Sequence, residues 1–396
     1  MANPYFCYAV SFAAALLTYL LGWSDLYPPL SLTLLSFILA TIIIHVFLGI
    51  RFSGQKIIIF KKIQTENYFA PLFITIFLYV LWCSEFLYEG GVPLIKILLK
   101  QPYNYKVFGI PSLHVLIVTF SSFYTIYLFH IYLSKRSFFI LILYGINLLA
   151  ALLIYNRGML FFNLSASTFL FLMYKKTLLI KHVAGAAIAM VILFFFFGIL
   201  GSLRVSNESR KPYSNEEFLK TGRASVSFRN SIIPSEFFWS YIYTTSPLAN
   251  LQSNINNYQP QPIRVSRVLE WVNNEILFDF ISKRINSYTG KEREAESTIP
   301  GPFNASTVYS RSFSYLGWPG LALMGTLILA IPMIFLKILP PSSPFFLTAL
   351  AILNTIFLYM VFDNTIRFTG LSFQMIYPVL LHAAIGRSYW LKRIFL

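Results

Sequence analysis

Charged residues are scarce in this chain of 396 residues, and cysteine is scarcer still. Asp, Glu, Lys and Arg together make up 12% of the sequence, whereas a soluble globular domain usually carries about 25%. Only two cysteines are present, Cys7 and Cys83, and both lie in apolar segments. Their number and placement argue against a disulfide framework and against a zinc site.

Common metal-binding and nucleotide-binding patterns are also missing. The sequence has no HExxH pair and no His/Asp cluster with ligand spacing, so we expect no metal and no other cofactor. It has no Walker A loop, so we do not expect ATP to drive its activity directly. The net charge of +16 would suit nucleic acid. Basic residues also accumulate in the cytoplasmic loops of membrane proteins, and we therefore expect no nucleic-acid partner.

Hydrophobic residues are abundant, at 57% of the chain. They form blocks of roughly 20 residues, the length that a helix needs to cross a bilayer core of about 30 Å. We therefore predict an all-α polytopic integral membrane protein, embedded in the lipid bilayer, with about ten transmembrane helices. The predicted spans are 5–23, 29–50, 68–88, 113–133, 137–155, 158–174, 183–203, 313–336, 345–362 and 371–386.

The largest gap between predicted spans divides the chain into three parts. We predict transmembrane helices 1–7 in residues 1–203, a loop subdomain in residues 204–312, and transmembrane helices 8–10 in residues 313–396. The loop is polar, but apolar residues recur at helical spacing between Val265 and Ile281. This spacing predicts a small helical subdomain that lies on the membrane.

Basic residues are distributed unevenly among the predicted loops. The loops after spans 2, 4, 6 and 8, together with the C-terminal tail, hold most basic residues outside the large loop, against one acid, Glu66. Such a bias marks the cytoplasmic side. It predicts that both termini are cytoplasmic and that the large loop lies on the outer face.

Arg157 stands inside the apolar stretch 137–174. As a single helix this stretch would be about 57 Å long, nearly twice the bilayer core. The chain must therefore turn back, and YNRG around Arg157 is the turn-like signal near its middle. We predict that Arg157 lies at the tip of a hairpin on the outer surface.

Several arginines flank the predicted spans at this outer boundary. They are Arg157, Arg204, Arg311 and Arg367. A guanidinium group donates paired hydrogen bonds to phosphate and stays charged at every relevant pH. We predict that the set holds a lipid diphosphate, with Arg210 and Arg223 as further ligands early in the large loop. The alternative is a group of unrelated arginines that extend to the interface.

Two further residues are candidates for acid–base chemistry. His114 stands in FGIPSLHV at the outer start of the fourth predicted span, where an imidazole can act as a base. Glu296 lies late in the large loop, and a carboxylate can deprotonate a hydroxyl group. We predict His114, Glu296 and Arg157 as catalytic residues. The alternative is that His114 packs against its neighbours and that Glu296 is solvated.

Several segments resemble bacterial oligosaccharide repeat-unit polymerases of the O-antigen polymerase (Wzy) type. The resemblance covers about residues 50–340, and the large loop flanked by arginines is its most specific part. The segments are GGVPLI…YNYKVFGIPSLHV, LLIYNRGMLF, FGILGSLR, YIYTTSPLANLQ and FNASTVYSRSFSYLGWPGL. The paired RX10G motif of that family is not matched, because the spacing from Arg210 to Gly222 is one residue too long.

The resemblance implies a function and an architecture similar to membrane glycosyltransferases of the GT-C type. Such proteins polymerise oligosaccharide repeat units carried on undecaprenyl diphosphate, at the periplasmic face of the bacterial inner membrane. They transfer the growing chain from its lipid diphosphate to a fresh lipid-linked unit, without metal or nucleotide. A chain-length regulator and a flippase are the partners that the resemblance implies.

Two alternatives remain open at this point. An O-antigen ligase would use the same donor with a lipid A acceptor, and it would share the large outer loop. A transporter or flippase for lipid-linked sugars would need polar residues deep in several spans. Polar residues such as Asn147, Asn354 and Gln374 are scattered singly in these spans, which favours an enzyme with its site at one surface.

Overall fold

A computed structural model describes residues 3–54, 59–63, 68–99, 101, 103, 108–175, 191–192, 195, 198–199 and 215–385. Every regular element within these ranges is a helix, and they contain no strand. Four helices are long and apolar enough to cross a membrane: Leu32–Gly54, Phe69–Tyr88, Leu113–Lys135 and Trp318–Ile338. The chain is therefore a helical membrane protein with several membrane-crossing helices.

Five more helices coincide with predicted spans but are shorter or less apolar. They are Pro4–Tyr19, Phe138–Leu153, Arg157–Tyr174, Phe346–Tyr359 and Thr369–Ile385. At 1.5 Å per residue, a helix of 16 residues such as Pro4–Tyr19 is only about 24 Å long. The total of ten spans therefore stays a prediction. The predicted span 183–203 lies mostly outside the described residues.

The large loop is helical over much of its described length. Its helices are Asn215–Thr221, Val226–Arg229, Phe237–Asn256, Val265–Trp271, a π-helical turn Val272–Ile276, and Asp279–Thr289. The helical run predicted between Val265 and Ile281 is thus divided into three pieces. Another short helix, Pro93–Leu98, lies in the connection after Phe69–Tyr88. The three-part division of the chain remains a prediction.

The loop helices pack on one end of the bundle, which we call the loop end. The backbone N–H of Trp23, just after the first helix, donates to the Tyr241 hydroxyl at 3.1 Å. The backbone N–H of Asp279 donates to the carbonyl of Arg367 at 3.0 Å. Helix Phe237–Asn256 also packs against the first helix itself, and most of its residues are buried. The loop segment is therefore joined to the membrane helices at several points.

Basic residues gather at the opposite end of the bundle, among the loops predicted to be cytoplasmic. Lys61 Nζ donates to the carbonyl of Pro341 at 2.8 Å, and His130 Nε2 lies 2.9 Å from the carbonyl of Lys61. The guanidinium of Arg136 lies 4.5 Å from the ring centre of Tyr174. These contacts place three of the predicted basic loops on the same side.

Polar side chains in the interior of the bundle bond to one another. The Tyr8 hydroxyl lies 2.6 Å from the Tyr309 hydroxyl and donates to Thr41 Oγ1 at 3.1 Å. The His45 ring stacks on Tyr8 with 3.7 Å between ring centres. A buried polar group without a partner is costly. This network therefore links the first two helices to the segment that precedes Trp318–Ile338.

Gly317 separates two helices where the sequence predicts the start of one span. Ser310–Leu316 ends and Trp318–Ile338 begins at this residue. Its φ of 61° and ψ of −145° lie in a region that is essentially restricted to glycine. The backbone therefore changes direction here, and Ser310–Leu316 packs against the start of the next helix.

Gly320→Ala is expected to destabilise the protein by about 1–3 kcal/mol, because overpacking forces the backbone to shift. A Cβ atom at this position would lie 2.0 Å from the carbonyl oxygen of Ser312. Gly325→Ala on the same helix is the control, since its Cβ would meet nothing closer than 3.9 Å. Thermal unfolding in detergent measures the difference. Equal unfolding temperatures for the two variants would contradict the close approach.

Candidate functional site

A buried ion pair lies within the large loop, and Asn364 joins it to the connection before the last described helix. Glu275, in the π-helical turn, is fully buried. Arg293 Nε donates to Glu275 Oε1 at 2.9 Å, and its Nη2 donates to Oε2 at 3.0 Å. Asn364 Nδ2 donates both to Glu275 Oε2 at 3.0 Å and to the Glu275 carbonyl at 2.8 Å. The carboxylate is therefore satisfied from two separate parts of the chain.

Two residues predicted for separate roles form a second ion pair beside the first. Arg311 Nη2 lies 3.3 Å from Glu296 Oε1, and Arg311 Nη1 donates to the carbonyl of Glu294 at 3.1 Å. Glu275 and Arg293 line the same cavity, which has a volume of about 10 Å³. That volume suits one water molecule. We call these residues, with Asn364, the carboxylate–arginine cluster, and in this arrangement it leaves no room for a diphosphate.

Charge in the cluster is balanced. Burial lowers the pKa of Arg293, but the attraction of the Glu275 carboxylate outweighs it, so the pKa lies above its ordinary value. The guanidinium therefore stays charged beside an acid that it neutralises. The arrangement suits a structural tie between the loop and the helices better than it suits the capture of a further anion.

Arg367 lies next to the cluster but forms no ion pair of its own, although the carboxylates of Glu275, Asp279 and Asp363 attract it from a greater distance. Among the described residues no carboxylate lies within ion-pair distance of it, and its Nε is buried without a hydrogen-bond partner. Burial lowers the pKa of Arg367, and the neighbouring charge of Arg293 lowers it further. A partly buried cation without a direct ion-pair partner is only partly compensated by more distant charges. An anion bound at Arg367 would complete that compensation.

His114 is held by a buried acid. Its Nδ1 lies 2.9 Å from Glu85 Oε2, and Glu85 Oε1 accepts from the backbone N–H of Ile110 at 3.3 Å. A carboxylate can only accept, so the imidazole donates through Nδ1; in the neutral tautomer with this donor, Nε2 carries the free electron pair. The Glu85 side chain is 0% exposed and that of His114 is 25% exposed. The acid thus orients a base that remains accessible, as in known acid–base dyads.

Aromatic rings surround the His114–Glu85 dyad. The His114 ring meets Trp82 and Phe108 edge to face, at 6.2 Å and 5.5 Å between ring centres. Near these rings, the backbone N–H of Gly109 donates to Glu89 Oε1 at 2.9 Å. This bond holds the segment that precedes His114. The dyad therefore lies in an apolar environment between the end of helix Phe69–Tyr88 and the start of Leu113–Lys135.

Arg157 is exposed at the loop end. The chain reverses as predicted, because one helix ends at Leu153 and the next begins at Arg157. The guanidinium lies 4.9 Å from the ring centre of Tyr155, and its Nη2 donates to the Tyr155 hydroxyl at 3.0 Å. No described carboxylate lies within ion-pair distance of it. Asn156 caps the new helix by accepting from the N–H of Met159.

Arg284 joins the loop to the helix that carries His114. Its Nη2 donates to Ser112 Oγ at 2.5 Å, and Ser112 directly precedes helix Leu113–Lys135. Arg284 is exposed and lies on helix Asp279–Thr289. Arg284 is thus a third cation without a described carboxylate partner. It contacts Ser112, which stands two residues before His114 in the sequence.

Helix Asp279–Thr289 also contacts the segment of Arg367. The Asp279 carboxylate accepts from the backbone N–H of Thr369 at 3.0 Å and from Lys283 at 2.8 Å. Burial raises the pKa of Asp279, but these hydrogen bonds outweigh it and the pKa lies below its ordinary value. The helix is therefore fixed to the start of Thr369–Ile385 by a charged acid.

The segment of Arg367 contacts the Arg157 helix in turn. The ring of Phe162, in helix Arg157–Tyr174, lies 5.8 Å from that of Phe368. Helix Leu113–Lys135 packs against both of these helices. The elements that carry the dyad and the three cations without a described ion-pair partner thus adjoin one another at the loop end. We call the residues His114, Arg157, Arg284 and Arg367 the junction, because the elements that carry them are neighbours.

The other predicted ligands lie elsewhere. Arg223 is exposed, and its carbonyl accepts from the N–H of Asp25 at 2.8 Å, in the connection after the first helix. Arg204 and Arg210 lie outside the described residues. The predicted set is thus divided between the cluster, which takes Arg311, and the junction, which takes Arg157 and Arg367.

The sequence did not single out Glu275 or Arg284, and it ranked Glu85 low among the possible bases. Glu275 follows Asn273 and Asn274 among apolar residues at helical spacing, and Glu85 lies in the last turn of an apolar helix. A buried carboxylate needs a hydrogen-bonding or charged partner. An acid at either position could therefore have been recognised as part of a pair. Arg284 has no comparable signal, because it stands among polar residues on an amphipathic helix.

Comparisons with known proteins found no match to this chain among protein-family models, curated proteins or solved structures. The case for a function therefore rests on the geometry of the junction and on the resemblance of sequence segments.

Proposed function

We propose that this chain polymerises undecaprenyl-diphosphate-linked oligosaccharide repeat units by glycosyl transfer between two lipid-linked substrates. The observation that carries the proposal is the junction, where an oriented, accessible base lies on a helix whose neighbouring elements carry three cations without a described ion-pair partner. A base suits a sugar hydroxyl, and such cations suit a diphosphate. The resemblance to O-antigen polymerases supports the choice of substrate class.

The proposed reaction needs one proton acceptor and one stabilised leaving group. The acceptor hydroxyl attacks the anomeric carbon of the donor and gives its proton to Nε2 of His114. The bond between that carbon and the diphosphate oxygen breaks as the new glycosidic bond forms. Glu85 holds the imidazole in its orientation and stabilises the imidazolium that results. The growing chain leaves its old carrier and is joined to the fresh unit.

The arginines of the junction would compensate the leaving group. Negative charge increases on the diphosphate as the bond breaks, and fixed cations lower the energy of that state. Arg367 would gain a direct ion-pair partner, which no described residue supplies. Arg157 and Arg284 approach from the hairpin and from the large loop. This arrangement would supply the electrostatic stabilisation without a metal ion.

The same proposal covers location and partners. We place the chain in the bacterial inner membrane, with both termini cytoplasmic and the loop end in the periplasm, in line with the distribution of basic residues. The architecture would be GT-C-like, with ten spans. A flippase would supply the lipid-linked units, and a chain-length regulator would act on the product.

Purified protein incubated with a synthetic undecaprenyl-diphosphate oligosaccharide tests the activity. A ladder of longer lipid-linked products, formed without nucleotide or added metal, is the expected result. Transfer only when lipid A is added would indicate a ligase instead. Movement of the substrate across a vesicle membrane, without any elongation, would indicate a flippase.

Arg157→Ala is expected to abolish long glycan chains in cells while single repeats still reach the surface. The reason is that one fixed cation at the leaving diphosphate is lost, which typically costs about 10²–10³ in rate. Arg157→Lys keeps the charge but loses paired hydrogen bonding, so we expect an intermediate loss. Gel analysis of the surface glycan, with immunoblotting for protein abundance, measures both.

Arg136→Ala is the matched control for Arg157. Arg136 is also exposed, and it stacks on Tyr174 at the other end of helix Arg157–Tyr174. The proposal places that end away from the reaction, so chain length should not change. Long chains in Arg157→Ala, or equal losses in the two variants, would remove Arg157 from the mechanism.

A further inference from the structure

An open apolar groove of about 550 Å³ runs between helices Phe69–Tyr88 and Phe138–Leu153. Pockets for small molecules have volumes of about 300–1,000 Å³, so the groove is large enough for part of an extended chain. Its walls include Leu72, Ile76, Val80, Leu87, Leu143 and Ile146. Ile76, Val80 and Leu87 are exposed at 54%, 60% and 82%, so the groove is open along its length.

The hydroxyl groups that line the groove, those of Thr75, Tyr79 and Ser84, already form hydrogen bonds. The Tyr79 hydroxyl donates to the carbonyl of Ile146 at 2.5 Å, and Asn147 Nδ2 donates to Thr75 Oγ1 at 3.0 Å. These bonds hold the two helices together and leave an almost wholly apolar surface. A sugar or a charged headgroup would find few hydrogen-bond partners there. A hydrocarbon chain needs no such partners.

The groove ends beside the junction. Ser84 lines it, and the next residue is Glu85, the acid that holds His114. Trp82 belongs to the same buried apolar cluster as Ile154 and Met159, which flank the Arg157 hairpin. The loop end of the groove is therefore level with Arg157. A lipid in the groove would bring its headgroup to a cation that lacks a described acid partner.

We infer that this groove binds the isoprenoid chain of a polyprenyl diphosphate, with the diphosphate at Arg157. The identity of the headgroup rests on the proposed function, while the apolar lining and its position rest on the structure alone. The chain segment nearest the diphosphate lies against Val80 and Leu87, and the remainder extends into the bilayer. Binding there would fix the donor's anomeric carbon beside the dyad.

The gain from the groove is one of packing. The isoprenoid chain is in hydrocarbon before and after it binds. The hydrophobic effect therefore contributes nothing to the free energy of binding. We therefore expect effects of roughly fivefold, about 1 kcal/mol, from changes in the groove. Larger effects belong to the headgroup and its arginines.

Cys83 offers a direct probe of occupancy. Its thiol is exposed and lines the groove, whereas Cys7 is buried. The rate of alkylation of Cys83 by a maleimide is measured in nanodiscs, with and without undecaprenyl diphosphate. We expect the lipid to slow alkylation roughly fivefold and an equal amount of anionic phospholipid to leave the rate unchanged. Equal protection by both would show that ordinary lipid fills the groove and would overturn the inference.

A pair of variants tests the position independently of turnover. Val80→Trp fills the groove, whereas Phe77→Trp lies on the same helix, 51% exposed and outside the groove. A photoreactive polyprenyl diphosphate should label Val80→Trp roughly fivefold less than wild type and Phe77→Trp normally. Thermal unfolding checks that both variants fold. Should Val80→Trp not fold, mass-spectrometric mapping of labelled wild-type peptides decides: crosslinks outside both helices would overturn the inference.

The groove and the proposed activity can fail separately. Elongation by the wild type, with photolabel mapped away from the groove, would remove the groove and keep the polymerase. Labelling within the groove without any elongation would remove the polymerase and keep the lipid site.

Discussion

Glu275→Ala is expected to lower the free energy of unfolding by about 3–5 kcal/mol, because removing one partner leaves a buried charge uncompensated. Arg293 would lose both hydrogen bonds to the carboxylate, and Asn364 would lose one. The large loop would then be held less firmly to the helices. Thermal unfolding of the purified protein in detergent should begin at a lower temperature, and proteolysis between residues 215 and 309 should be faster.

Glu216→Ala is the control for this prediction. Glu216 also pairs with an arginine, Arg229, at 2.9 Å, but its side chain is 54% exposed. Exposed pairs contribute about 0–1 kcal/mol, so this variant should unfold almost like the wild type. Similar losses in the two variants would show that burial of Glu275 does not matter.

His114→Ala is expected to lower the polymerisation rate by about 10²–10⁴-fold, the usual contribution of a general base. The donor lipid should still bind, because the arginines and the apolar groove remain. Single-turnover elongation of a radiolabelled lipid-linked repeat measures the chemical step, and photolabelling measures binding. Loss of both together would point to a structural role for His114.

Glu85→Gln tests whether the acid positions the base. The amide oxygen can still accept from His114 Nδ1, but the stabilising charge is gone. We expect kcat to fall while KM for the acceptor stays the same. His382→Ala, on the last described helix near its far end, should leave the rate unchanged. A wild-type rate in His114→Ala would exclude the dyad from the reaction.

The fold class was predictable from the sequence because lipid imposes a simple rule. Apolar blocks of sufficient length must be helices, since helices satisfy their own backbone. The reversal at Arg157 followed from length alone. The break at Gly317 could not be predicted in the same way, because a single glycine in an apolar run does not reveal its φ. Where the described helices are short, apolar length alone could not settle the number of spans.

The site was harder to predict because a sequence does not show which charges meet. Arg311 and Glu296 were each singled out for chemistry, yet they lie within ion-pair distance of one another. Arg157 and Arg367 were placed at the right boundary, but a sequence cannot show that they lack acids. An acid in an apolar helix, as at Glu85, indicates that some partner is needed. Only the structure shows that this partner is His114.

The large loop is attached unequally at its two margins. On one side the Asn364 amide donates to both the carboxylate and the backbone carbonyl of Glu275, which is fully buried. On the other side, beside Ser112, the bond is a single exposed one from Arg284. Exposed contacts open more easily than buried ones, so we expect the contact of Arg284 with Ser112 to open before those of Glu275 and Asp279. Sugars would therefore enter and leave on that side, while the lipid arrives laterally from the bilayer.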